Sequence, residues 1–111
     1  YANSVKTGIL GVTPEIIEEY GAVSCECVAE MADGVRRLTG SDFSVATSGI
    51  AGPGGGSESK PVGLVCIGIS SAKGTETYKL VFKGDRKRNI ERFASNALNL
   101  LRIKIKDELN N

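Results

Sequence analysis

Histidine is absent from this 111-residue sequence, and its absence excludes several kinds of catalytic site. Neither a Ser-His-Asp nor a Cys-His site can be assembled from the chain, and an ordinary zinc site would lack its imidazole ligands. Any general base must therefore be a lysine, a tyrosine, a carboxylate or a thiolate. A long hydrophobic run is also absent, so the sequence predicts neither a membrane span nor a signal peptide.

Cysteine and net charge are both low. The three cysteines, Cys25, Cys27 and Cys66, are odd in number, and the first two are too close together in a helix to bridge each other. No histidine accompanies them, so packing is favoured over catalysis or metal binding. We expect a cytoplasmic protein without metal or cofactor. Basic residues number 14 against 13 acidic ones, so bulk charge gives no case for nucleic acid binding.

Capping residues and hydrophobic periodicity predict a single domain over residues 1–111. A short helix over residues 13–21 begins at a capping Thr and a Pro, and a second helix over residues 24–40 lies between a Ser cap and a Gly. A strand over residues 42–48 follows. Residues 62–71 and 75–83 then form an antiparallel hairpin, whose first strand is apolar enough to be covered on both faces and whose second strand lies nearer an edge.

The last predicted helix begins at Arg86 and is the longest. It carries an apolar stripe for packing on the sheet, made of Ile90, Phe93, Ala94, Ala97, Leu98, Leu101 and Ile105. The sequence therefore predicts an α/β fold in which helices pack on a small mixed β-sheet.

The most informative segment is a glycine-rich run between two predicted strands. Residues 49–63 read Gly-Ile-Ala-Gly-Pro-Gly-Gly-Gly-Ser-Glu-Ser-Lys-Pro-Val-Gly and hold six glycines and two prolines. A simple chain reversal needs fewer residues, so this run is either disordered or shaped around a ligand, and the predicted strands that anchor both of its ends favour a ligand. It is not a Walker loop, because no Gly-Lys-Ser or Gly-Lys-Thr ends it. It is not a dinucleotide fingerprint either, because it leads into a strand and not a helix.

Residues without a Cβ can turn successive backbone N–H groups toward one point and bind an anion there. The predicted anion ligands are a set of backbone amides with one hydroxyl and one ammonium group: Gly49, Gly52, Gly54, Gly55, Gly56, Ser57 and Lys60. The alternative is a bend whose glycines only let another backbone approach closely.

A second anion site is predicted at Gly84-Asp-Arg86, where a strand meets the last helix. Arg86 and the two basic residues after it oppose the helix dipole unless an acid or an anionic ligand compensates them. Arg86 would be the bidentate partner of an anion held by the glycines. The alternative is that Asp85 caps the helix and neutralises part of this charge.

Several motifs together resemble one family. They are Tyr1-Ala-Asn-Ser-Val-Lys6, Leu10-Gly-Val12, Gly21-Ala-Val-Ser24, Met31-Ala-Asp-Gly34, Gly49-Ile-Ala-Gly-Pro-Gly-Gly-Gly-Ser57, Lys60-Pro-Val-Gly63 and Gly84-Asp-Arg86. Their order and spacing resemble the CinA carboxy-terminal domain of the competence- and damage-inducible proteins. That family includes the bacterial nicotinamide-nucleotide amidohydrolases, and the resemblance covers essentially the whole chain.

The resemblance implies hydrolysis of nicotinamide mononucleotide to nicotinate mononucleotide and ammonia, as part of pyridine-nucleotide recycling. It makes Lys6 the general base and Tyr1 a helper, and it makes a pyridine mononucleotide the partner of the anion site. The family's nucleophile is a Ser in a Glu-Ser-Cys-Thr-Gly-Gly-like motif upstream of Lys6, and these 111 residues do not contain that motif.

We therefore expect that the amino-terminal segment of the domain is missing and that this chain alone is inactive. The alternative is an inactive module for nucleotide or phosphate binding, or for oligomerisation. Because missing strands would leave a bare sheet edge, we also expect a homo-oligomer.

Overall fold

A computed structural model describes Gly8 and residues 10–110. From Leu10 onward, the described residues form three helices and one three-stranded sheet. The elements, in chain order, are α1 (Pro14–Tyr20), α2 (Cys25–Thr39), β1 (Phe43–Gly49), β2 (Leu64–Ser71), β3 (Gly74–Val81) and α3 (Arg86–Leu109). No helix among these residues is long and apolar enough to cross a membrane.

The predicted arrangement of helices on a small sheet is confirmed. The strand order is β1-β2-β3, and both pairs are antiparallel, whereas the sequence predicted a mixed sheet. The connection from β1 to β2 contains no helix that could carry the chain across a sheet face, so β2 returns beside β1 in the opposite direction.

The middle strand β2 is buried along its whole length, as the sequence predicted. Helix α2 packs on one of its faces and α3 on the other, while β3 is largely exposed at one edge. Two apolar clusters result. The first joins α2 to the sheet through Leu10, Val12, Cys27, Val28, Met31, Ala32, Ala46 and Cys66. The second joins α3 to the sheet through Val65, Ile67, Ile69, Phe93 and Ala97.

Side chains and glycines at the helix ends set the bounds of α2 and α3. The hydroxyl of Ser24 accepts a hydrogen bond from the N–H of Cys27 at 3.1 Å, and Gly40 ends α2 in the left-handed region. A carboxylate oxygen of Asp85 accepts from the N–H of Arg88 at 2.9 Å. The predicted beginnings of both helices are confirmed.

The buried face of α3 differs from the predicted apolar stripe. The buried positions are Asn89, Phe93, Ala97 and Lys104, whereas Ile90 and Leu98 are 46% and 63% exposed. The predicted stripe was therefore wrong at Ile90, Ala94 and Leu98, which face solvent among the described residues. The helix is rotated toward its polar side because Asn89 donates a hydrogen bond to the Ala51 carbonyl and Lys104 forms an ion pair with Glu76 of β3.

Lys104 is only 7% exposed and lies between two carboxylates. Its Nζ is 3.1 Å from Glu108 Oε2 and 3.3 Å from Glu76 Oε1. The hydroxyl of Ser71 and then Lys104 lower the pKa of Glu108, and the hydroxyl of Tyr78 and then Lys104 lower that of Glu76. The cluster joins the carboxyl-terminal half of α3 to β2 and β3.

We predict that this cluster makes the free energy of unfolding depend on pH on the acid side. Both carboxyls have a pKa below the ordinary 4.5 in the folded protein, so their stabilisation is complete above that value. It is lost as pH falls through the lower folded pKa values. Melting temperatures between about pH 7 and pH 3 should show a weaker acid dependence in Glu108→Gln than in wild type.

Glu91→Gln is the matched control, because it removes the same charge from an exposed position of the same helix. If Glu108→Gln and Glu91→Gln give the same pH profile as wild type, the cluster contributes nothing to acid stability.

Candidate functional site

The glycine-rich loop over residues 50–63 is closed at its base by backbone hydrogen bonds. The N–H of Ile50 donates to Leu64 O at 2.8 Å, and the N–H of Gly63 donates to Ile50 O at 2.6 Å. The carbonyl of Gly63 in turn accepts from the N–H of Phe82 at 2.9 Å. The loop is thus fixed to both neighbouring strands.

The second half of the loop contains a tight turn. The N–H of Ser57 donates to Lys60 O at 2.8 Å, and the N–H of Lys60 donates to the Ser57 hydroxyl at 3.1 Å. The ammonium group of Lys60 reaches back to Tyr20 O at the end of α1, at 2.5 Å. Both side chains that were predicted as anion ligands are therefore engaged in contacts within the protein.

The first half of the loop is held by the beginning of α3. Arg86 Nη1 donates to Gly52 O at 2.9 Å, and Asn89 Nδ2 donates to Ala51 O at 3.0 Å. Asn89 Nδ2 also donates to Gly84 O at 3.0 Å. The two predicted anion sites, the glycine-rich loop and the Gly84-Asp-Arg86 motif, are consequently in direct contact.

A Cβ would meet different surroundings at the glycines of the loop and at Gly49, which precedes it. A Cβ on Gly49 would lie 2.7 Å from the Phe93 ring, and one on Gly52 would lie 2.6 Å from the Val62 side chain. A Cβ on Gly56 would lie 2.7 Å from the backbone of Val62. Gly54 differs, because a Cβ there would meet nothing within 4 Å and its backbone is not left-handed. Packing accounts for Gly49, Gly52 and Gly56 but not for Gly54.

The exposed part of the loop offers free backbone donors. Gly54, Gly55 and Gly56 are exposed, and their N–H groups donate to no acceptor within the described part of the chain. The Arg86 guanidinium uses one N–H on Gly52 O and, being exposed, keeps others for a ligand. Exposed amides and a fixed guanidinium are the donor set that binds a phosphate group.

The charge near this site is positive. Arg86, Lys87 and Arg88 form the first turn of α3, which contains no acidic residue. Asp85 caps the turn and compensates part of the charge. An open cavity of about 480 Å³ lies beside the turn and is lined by Arg86, Lys87, Ile90 and Glu91. The turn therefore has the basic residues that could bind an anion, and it also has Asp85 as its cap.

The cysteines do not provide a nucleophile to this site. Burial, followed by the adjacent Cys25 thiol, raises the pKa of Cys66 to about 11. Cys27 is fully buried, and its thiol contacts the sulfur of Met31 at 3.8 Å. No group of metal-ligating side chains occurs among the described residues.

The structure places the predicted site residues in three groups. Arg86 and Gly52 are brought together, whereas Ser57 and Lys60 form a separate turn from which Lys60 contacts Tyr20 O. Lys6 and Tyr1 lie outside the described residues. Sequence reasoning missed Asn89, although one signal was present: a polar residue precedes Ile90 at the helical spacing of Phe93 and Ala97.

Comparison with known proteins identifies relatives over the same span. A family model described as the CinA C-terminal domain matches residues 1–105. A CinA-like protein of Desulfosudis oleivorans is 52% identical over 106 residues, which are 95% of this chain and 26% of that protein. A CinA-like protein of Fervidobacterium nodosum is 51% identical over 102 residues, or 92% of this chain and 25% of that protein. The chain spans about a quarter of the length of these curated relatives.

Solved structures share the fold. A CinA superfamily protein from Klebsiella pneumoniae superposes with a TM-score of 0.90 at 32% identity, covering 96% of this chain and 67% of that one. A CinA superfamily protein from Enterobacter cloacae gives a TM-score of 0.88 at 38% identity, covering 94% and 62%. The chain thus spans 62% of the Enterobacter cloacae structure and 67% of the Klebsiella pneumoniae structure.

Proposed function

The chain belongs to the CinA C-terminal domain family, and on this premise we propose that it is part of an amidohydrolase that converts nicotinamide mononucleotide to nicotinate mononucleotide and ammonia. In this proposal the described residues hold the phosphate of the substrate. The observation that carries it is the contact between Arg86 and Gly52 O, which joins the glycine-rich loop to the basic first turn of α3.

The chemistry that we propose divides between this site and residues outside the described part. A serine hydroxyl, in the motif that the resemblance places upstream, attacks the carboxamide carbon, and Lys6 accepts the hydroxyl proton. Lys6 then gives this proton to the leaving nitrogen, the carbon–nitrogen bond breaks, and ammonia leaves. Water hydrolyses the resulting acyl-enzyme to nicotinate mononucleotide and restores the serine. The phosphate site holds the substrate during these steps and takes no part in bond making.

A second candidate is a binding or assembly module without catalysis. Strand β1 pairs on only one side within the described residues, so a second copy could pair with its open edge. Binding of a pyridine mononucleotide without release of ammonia, by a form that carries the complete motif, would favour this candidate over the amidohydrolase.

We predict that Arg86→Ala weakens the binding of nicotinate mononucleotide by about tenfold to a hundredfold, because a charge-assisted hydrogen bond contributes about 1.5–3 kcal/mol. Titration calorimetry measures the effect, with the riboside that lacks the phosphate as the second ligand. Wild type should bind the riboside more weakly than the mononucleotide, and Arg86→Ala should remove most of that difference.

Arg102→Ala is the matched control, since Arg102 lies on the same helix and its guanidinium contacts only Asn99 Oδ1 among the hydrogen bonds of the described residues, at 3.0 Å. Equal affinity of wild type for the mononucleotide and the riboside would refute the phosphate site.

A further inference from the structure

Asn89 lies at the end of the first turn of α3 and is 0% exposed. Its Nδ2 donates two hydrogen bonds, to Ala51 O in the glycine-rich loop and to Gly84 O before the helix, each at 3.0 Å. Its Oδ1 is buried and accepts no hydrogen bond from a described residue. Exchanging the two amide atoms would place Oδ1 against two carbonyl oxygens, which cannot donate, so this orientation follows from the partners.

The unpaired Oδ1 shows that packing alone does not explain an asparagine at this position. A buried acceptor without a donor loses its hydration and gains nothing in return. A leucine has the same branched shape and no polar atom that would lose its hydration. The two donor hydrogens of Asn89 are what a leucine could not supply, and one of them fixes the loop.

Asn89 and Arg86 hold two consecutive carbonyls of the loop, those of Ala51 and Gly52. The peptide bond between Ala51 and Gly52 is trans, so its C=O and N–H point in opposite directions. Fixing Ala51 O toward α3 therefore directs the N–H of Gly52 away from α3. The loop amides acquire a defined orientation relative to the Arg86 guanidinium.

We propose that Asn89 is a positioning residue of the phosphate site. It acts through the loop and not by contact with the ligand, because its side chain is fully buried. By holding Ala51 O it keeps the loop that carries the exposed amides of Gly54, Gly55 and Gly56 in a fixed position relative to Arg86. This inference rests on the proposed function for the identity of the ligand but not for the geometry of the loop.

The first test compares Asn89→Leu with Asn96→Leu. Asn96 is the matched control, because among the described residues its Nδ2 donates only to Arg92 O of the same helix, at 2.8 Å. Calorimetry with nicotinate mononucleotide should show about tenfold weaker binding for Asn89→Leu and none of this loss for Asn96→Leu. Affinity for the riboside without the phosphate should be unchanged in both variants. Equal losses for the two ligands would overturn the proposal.

The second test needs no ligand. Hydrogen exchange of the amides of Ile50 and Gly63, whose hydrogen bonds close the base of the loop, should be about tenfold faster in Asn89→Leu than in wild type or Asn96→Leu. Exchange at the wild-type rate would overturn the positioning role, as would faster exchange with unchanged affinity for the mononucleotide. If wild type itself does not distinguish the mononucleotide from the riboside, the proposed function fails, and the exchange rates still decide whether Asn89 orders the loop.

Asn89→Asp provides a second variant if Asn89→Leu does not fold. It keeps the size of the side chain and an acceptor oxygen but replaces the donor by a second acceptor, which repels Ala51 O. The same faster exchange and the same phosphate-specific loss of affinity are expected. Their absence in a folded Asn89→Asp would overturn the proposal.

Discussion

Replacing Lys6 by alanine in a longer form of the protein that carries the nucleophile motif should abolish the release of ammonia from nicotinamide mononucleotide. Removal of a general base lowers turnover by about 10²–10⁴-fold, and these 111 residues contain no histidine that could take over the role. The resemblance of the Tyr1 to Lys6 segment to the family motif carries this prediction, since those residues lie outside the described part of the structure.

The measurement is an ammonia assay on purified wild type and Lys6→Ala, with melting temperatures to show that both are folded. Lys73→Ala is the control, because it removes a lysine at the turn between β2 and β3, whose ammonium group is 3.5 Å from Glu108 O. Turnover retained in Lys6→Ala would exclude Lys6 as the base. Turnover absent from wild type would instead favour a binding module.

Gly63→Ala should destabilise the domain more than any other single methyl addition in the glycine-rich loop. The backbone of Gly63 has φ of +94°, and a Cβ there would overlap the carbonyl oxygen of Phe82. The left-handed conformation costs an alanine about 1–2 kcal/mol, and displacing the neighbouring backbone adds about 1–3 kcal/mol. Since the backbone of Gly63 also forms hydrogen bonds with Ile50 and Phe82, a shift of residue 63 must move the whole base of the loop.

Denaturant unfolding of Gly63→Ala and Gly54→Ala provides the comparison, because both add one methyl group to the same loop. We expect Gly63→Ala to lose about 2–5 kcal/mol of the free energy of unfolding or to fail to fold. Gly54→Ala should stay within about 0.5 kcal/mol of wild type. Similar stabilities for the two variants would show that the close approach at Gly63 is relieved at little cost.

Local chemistry explains why the helix and strand positions could be predicted. The caps at Ser24 and Asp85 and the helix end at Gly40 depend on groups within a few residues of each other, so the sequence contains all the information they need. The continuous apolar run of β2 likewise indicates a strand covered on both faces.

The face that α3 buries could not be predicted, because periodicity only shows which residues share a side of the helix. Contacts with residues far away in sequence determine which of two overlapping faces of the helix is buried. Asn89 donates a hydrogen bond to Ala51 O, and Lys104 forms an ion pair with Glu76. These contacts turn Ile90 and Leu98 toward solvent. A stripe defined by hydrophobicity alone omits buried polar residues that are satisfied across the fold.

In the candidate site, too, some features follow from the sequence alone and others only from the tertiary structure. The sequence determined by itself that a glycine-rich loop and a basic helix start are present, because glycine, arginine and helix polarity are local properties. Only the tertiary structure decided that the two meet through Arg86 and Gly52, and that Lys60 turns away to Tyr20 O. It also decided that the buried amide of Asn89 orients the loop. Contacts between residues more than thirty positions apart depend on how the chain packs, and local pattern does not specify that packing.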